Sequence, residues 1–167
     1  MKNLLNSPWL KNAGARVLVL GHSTYGSSKT DPHNIKRWIN DPKAAEDRTW
    51  DRFFRVATGK SSRKVDRATW KQFFSQFAFT NLVIVKMGKW NGKPTAQQYE
   101  EGKQWLRAVL DHVKLRAVFV FAYAHRAHSK KVLDEYNIPS VYAVHPVCDK
   151  KSMFARHWSD FEALVFN

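Results

Sequence analysis

The sequence predicts an α/β fold: a three-layer α/β/α sandwich with a central four-stranded parallel sheet. Four short β-rich runs carry the prediction: "RVLVLG" (16–21), "NLVIVKM" (81–87), "AVFVFAY" (117–123) and "SVYAVHP" (140–146). Helical patterns separate them, so each strand is joined to the next by a crossover, which is how parallel strands connect. The first and third runs are apolar almost throughout, as strands covered on both faces must be. The 167 residues contain no internal repeat, low-complexity tract or interdomain linker, and 1–167 reads as a single domain. A chain of this length buries enough surface to hold a core without disulfides or metal.

The helical segments follow in order. "DPHNIKRWIND" (31–41) offers an Asp-Pro start, and "DRTWDRFFRVATG" (47–59) stops at Gly59. "DRATWKQFFSQFAF" (66–79) spaces Trp70, Phe73, Phe74 and Phe77 along one helical face. "TAQQYEEGKQWLRAVLDHV" (95–113) opens with Thr95 as N-cap and turns Trp105, Leu106, Val109 and Leu110 inward. "SKKVLDEYN" and "SMFARHWSDFEALVF" complete the set. In open parallel sheets ligands bind beyond the carboxyl ends of the strands. That rule selects His22–Tyr25, the stretch after Met87, Tyr123–His128 and His145–Pro146.

Charge narrows the partner. Lys and Arg number 28 against 14 acidic residues, a net charge of +14. A chain so basic attracts polyanions, nucleic acid above all, and a small substrate does not call for it. No apolar stretch approaches the roughly 20 residues of a membrane span, so no membrane association is expected. The single Cys148 cannot form an internal disulfide, and the start of the chain lacks signal-peptide character. Both suit a cytoplasmic protein.

The chemistry-bearing residues are short motifs at strand ends. "GHSTYG" (21–26) has glycines at both ends, and neither a phosphate-binding lysine nor the three-glycine dinucleotide pattern accompanies it. Asn81 carries an amide with donor and acceptor, which matches the pairing edge of a pyrimidine. His145-Pro146 ends a strand, and a histidine there can donate a hydrogen bond to a developing anion. Cys148 reads as a small buried residue rather than a nucleophile. "HRAH" puts His125 and His128 three apart, but no other cluster supplies the remaining zinc ligands, so no metal is expected. Lys150 and Lys151 suit phosphate contacts.

In order and spacing, "GHSTYG", "FTNLVIVKMGKW", "AVFVFAYAHRAH" and the terminal "HP" resemble the uracil-DNA glycosylase superfamily over roughly residues 14–158. The resemblance implies that Asn81 reads the base edge and that His145 stabilises the departing base. It implies that Tyr25 walls C5 of the base and that the backbone of Gly21, His22 and Ser23 lines the pocket. It also implies that Met153 and Phe154 probe the minor groove. Several family members carry a carboxylate in the first loop to position water, and others work without it. Here the loop reads His22, Ser23, Thr24, so His22, Ser23 or Asp31 takes that task, or leaving-group stabilisation suffices. Phe54 and Trp38 are candidates to stack on the base.

The expected function is a monofunctional DNA glycosylase acting on a flipped-out uracil or modified pyrimidine, a C5-modified or glucosylated cytosine included. It would act in base-excision repair or in defence against phage with modified DNA. The expected partner is duplex or single-stranded DNA, with no cofactor, a monomeric state and a cytoplasmic, nucleoid-associated location. A catalytically inactive base- or DNA-binding module is the alternative, and hydrolysis of free nucleosides a weaker one.

Overall fold

The computed structural model describes residues 16–22, 48–61, 64–84, 87, 92–121, 125–146 and 153–166. It holds an all-parallel sheet of β1 (Val17–Gly21), β2 (Phe77–Asn81), β3 (Ala117–Phe121) and β4 (Ser140–Ala143), in the order β2-β1-β3-β4. Five helices cover it: α1 (Arg48–Thr58), α2 (Arg67–Phe74), α3 (Ala96–His112), α4 (Arg126–Glu135) and α5 (Met153–Phe166). The three-layer α/β/α sandwich with a four-stranded parallel sheet is therefore present.

Alternation along each strand sorts the core into two faces. Val17, Val19, Phe77, Phe79, Phe119 and Phe121 face α1, α2 and α5, where they meet Phe53, Phe74, Phe154 and Trp158. Leu18, Leu20, Ala78, Val118 and Val120 face α3 and α4, where they meet Trp105, Leu106, Val109, Val132 and Leu133. One face is dominated by aromatic rings packed edge to face, such as Phe53 on Trp158 at 5.0 Å between centroids. The other is largely aliphatic.

The winding explains which helix lies where. From β1 the chain passes through α1 and α2 to β2 at one edge of the sheet, then returns through α3 and α4 to β3 and β4 on the other side of β1. A common hand of crossover demands that opposite directions of travel use opposite faces. The two core clusters divide in that way. The reversal leaves a switch point between the carboxyl ends of β1 and β3.

Local signals set the helix limits. Thr95 and Gln98 form a reciprocal capping box, with the Gln98 N–H donating to Thr95 Oγ1 at 3.2 Å and the Thr95 N–H to Gln98 Oε1 at 2.8 Å. Asp66 caps α2 by accepting the Thr69 N–H at 2.7 Å. Gly59, at φ 68°, closes α1 as expected.

Several boundaries differ from the sequence expectation. The aromatic run expected as one helix over 66–79 breaks after Phe74, and Phe77 begins β2. The strand expected over 81–87 is instead Phe77–Asn81, so Asn81 ends its strand rather than starting it. The strand expected over 140–146 is shorter, ending at Ala143, and the described part of the strand expected over 117–123 is Ala117–Phe121. The expected helix at 31–41 and Cys148 lie outside the described residues.

Helix α3 sits hard against the end of β2. A Cβ on Gly102 would come within 2.5 Å of the Leu82 carbonyl oxygen and 3.2 Å of its carbon. Three residues on, the buried Trp105 Nε1–H donates to Thr80 Oγ1 at 2.9 Å. Because the obstacle at Gly102 is backbone, Gly102→Ala should destabilise the fold by about 1–3 kcal/mol. An unobstructed helical site would instead gain roughly 1 kcal/mol from the same change. Urea unfolding midpoints of the two proteins check the sign.

Candidate functional site

All four strands point the same way, so their carboxyl ends share one edge. In order across the sheet that edge carries Asn81 at the end of β2, His22 just past β1, His125 as N-cap of α4 after β3, and His145 two residues past β4. His22 and His125 flank the switch point, the usual ligand crevice of an open parallel sheet. The stretch after Met87, expected at this edge, lies outside the described residues; Asn81 stands at the edge because β2 ends there.

Asn81 is held against β1. It pairs in register with Gly21, and the ladder continues past both strands. The Leu82 N–H donates to the Gly21 carbonyl at 2.9 Å, and the Val83 N–H to the His22 carbonyl at 2.8 Å. Any Cβ at Gly21 would collide with Asn81 Oδ1, so the missing side chain is what lets the carboxamide lie across the end of β1.

The histidines form a connected group. The His22 and His125 rings stack face to face, 3.4 Å between centroids and 8° from parallel. Nδ1 of His125 is hydrogen-bonded to the Tyr99 hydroxyl at 3.0 Å, and the Tyr99 ring stacks on His128 at 3.8 Å and 7°. His125 is buried and His22 half-buried. Burial, reinforced by the nearby His145 imidazole, lowers the His22 pKa to about 4. Burial, then the His22 and His128 rings, lowers that of His125 to about 3. Both rings are therefore neutral at pH 7 and can accept as well as donate hydrogen bonds. His145 is half-buried, its ring edge-on to Phe121 at 6.3 Å and 75°.

The spacing that sequence reading weighed for zinc in "HRAH" serves this ring assembly instead. Among the described residues no group of three or more metal-ligating side chains converges. Tyr99, which joins the two histidines, carried no local signal: it lies 26 residues before His125.

Two expected contacts are corrected. Phe54 is fully buried, packed on Trp70 at 4.9 Å and Phe73 at 5.1 Å, so it is a core residue and not a base-stacking one. Phe154 is equally buried, against Phe119 and Phe121 at 5.6 Å each, and does not reach a groove. Met153 beside it is exposed, at the start of α5. One turn before Phe54, the half-buried Trp50 stands edge-on to Phe79 at 5.1 Å and lies 6.0 Å from Phe121, the last residue of β3. It brings an aromatic ring toward the carboxyl edge. Arg126 opens α4 beside the crevice, exposed and 5.5 Å over the Tyr142 ring, with no acid in that helical turn. Ser23, Tyr25, Asp31, Trp38, Lys150 and Lys151 lie outside the described residues. Among the described residues no helix is long and apolar enough to cross a membrane.

The neutral histidine pair makes stability depend on pH. The unfolded chain protonates both positions near pH 6.5, whereas the folded chain resists until about 4 and about 3. The contribution is whole above pH 6.5 and is lost as the pH falls toward those two values. Calorimetry from pH 6.5 to about 5, above the range in which Asp66 and Glu100 protonate, should show a falling thermal midpoint, each proton steepening the loss by up to about 1.4 kcal/mol per pH unit. The double change His22→Gln, His125→Gln should remove most of that fall. No protein-family model matches the chain and no curated protein matches its sequence, so its function must be read from this edge of the sheet.

Proposed function

We propose that the chain is a DNA glycosylase that breaks the bond between sugar and base at an everted uracil or modified pyrimidine. The observation that carries this reading is the row of Asn81, His22 and His145 along the carboxyl edge of a parallel sheet, in a chain of net charge +14. The order of these motifs along the chain, which resembles the uracil-DNA glycosylase superfamily, agrees with it.

The chemistry follows from the residue types. Asn81 offers an acceptor and a donor, the complement of a pyrimidine edge that presents a carbonyl beside a ring N–H. As the C1′–N1 bond breaks, its electron pair goes to the base and positive charge grows on the sugar. His145 donates to the developing oxyanion at O2, and one such donor is typically worth about 3–4 kcal/mol. Water then adds to C1′ and leaves an abasic site. Eversion costs a few kcal/mol. Cations such as Arg126 recover it at phosphates, Met153 wedges into the stack, and Trp50 supplies the flat surface first sought at Phe54. In this reading the protein works as a monomer on DNA in the cytoplasm.

A second reading has one observation in its favour. The motif "GHSTYG" that opens at Gly21 carries no carboxylate to position water, which suits a module that holds an everted base without cutting.

A panel of single- and double-stranded oligonucleotides, each with one variant base, separates the two. The glycosylase reading expects alkali-labile abasic sites at one or a few bases. Tight, salt-sensitive binding with no strand breakage would select the binding module. Asn81→Ala and His145→Ala should each cut turnover about 10²–10³-fold and leave DNA affinity within a few-fold. Full activity in both variants would reject the site.

A further inference from the structure

We infer that Tyr99 and His125 are positioning residues for His22. The Tyr99 hydroxyl fixes the plane of the His125 ring, and that ring, stacked face to face, fixes the plane of the imidazole at the switch point. Each link in the chain is a short contact. The capping box at Thr95 and Gln98 sets the first turn of α3, which carries Tyr99. Tyr99 is gripped twice, by its ring on His128 at 3.8 Å and by its hydroxyl on His125 Nδ1 at 3.0 Å. Ser129 adds a third restraint, since its hydroxyl donates to the His125 carbonyl at 3.0 Å. His125 then presents a buried, oriented face to His22 at 3.4 Å.

The arrangement does something that simple burial would not. An imidazole just past a strand end, next to a glycine, has free rotation about its terminal torsion. A parallel ring at 3.4 Å removes that freedom, because turning either ring breaks the stacked contact. The hydrogen bond at Nδ1 also holds the His125 ring by one edge, whichever partner donates. His22 therefore keeps one edge toward the crevice. The effect of this order on turnover rests on the glycosylase reading, whereas the order itself does not.

The test is built on Tyr99→Phe, which deletes one oxygen and keeps the ring that stacks on His128. Long-range ¹H–¹⁵N NMR of the histidine rings reports tautomer and order directly and needs no substrate. The wild type should give sharp signals for His22 and His125. Tyr99→Phe should shift the His125 ring signals and broaden those of His22, with an unchanged far-UV spectrum. His125→Phe, which keeps a flat face but loses the hydrogen bond to Tyr99, should broaden His22 as Tyr99→Phe does, and His125→Ala should broaden it further. On the base that the wild type excises, Tyr99→Phe should lower kcat roughly 10-fold with KM within about two-fold, as loss of orientation does. Sharp, unaltered His22 signals in Tyr99→Phe would overturn the assignment. A wild type that excises no base overturns the glycosylase reading alone, and the NMR result still decides this one.

Discussion

A parallel strand cannot be entered from its neighbour by a hairpin, and this constraint governs the whole molecule. Each return must cross the sheet, so every strand leaves in the same direction and every carboxyl end arrives at one edge. Asn81, His22, His125 and His145 are spread over 124 positions of sequence, yet they fall in a row because four short strands share a direction. The reversal of winding puts the switch point between β1 and β3, where the His22 and His125 rings stack on each other. Nothing in the residues themselves would draw them together.

Much of this was legible in the sequence, and the exceptions have physical causes. β1 and β3 are nearly pure aliphatic and aromatic runs between polar breaks, so their pattern admits one reading. Thr95 announced α3 because a capping box is written within four consecutive residues. β2 was misplaced because Phe73, Phe74 and Phe77 satisfy a helical face and an aromatic strand alike. The break after Phe74 carries only Ser75 and Gln76, neither of them a strong stop. Asn81 and His145 were legible as residues with chemistry at strand ends. Phe54 was not, because Phe53 and Phe54 are adjacent, both point into packed rings, and composition alone does not show which aromatic of α1 reaches an edge. The link from Tyr99 to His125 spans two elements and leaves no local mark.

The two faces of the sheet are built from different materials. The aromatic face locks most rings edge to face: Phe53 stands edge-on to Trp50, Phe74, Phe121, Phe154 and Trp158 and face to face only with Phe119. Edge-to-face packing is directional, which favours one arrangement over many of similar density. Its rim, at Trp50, Phe121 and His145, is where that rigid packing meets the crevice. The aliphatic face carries the polar fittings instead: the Trp105–Thr80 hydrogen bond and the Tyr99–His125 contact both descend from α3.

Those fittings lie on one helix at intervals of three residues: Tyr99, Gly102 and Trp105. Trp105 holds the residue before Asn81, Gly102 abuts the residue after it, and Tyr99 grips the partner of His22. The amide and the imidazole pair thus share a single chassis. A slide of α3 along its axis would therefore act on the neighbours of Asn81 and on the His22–His125 pair together.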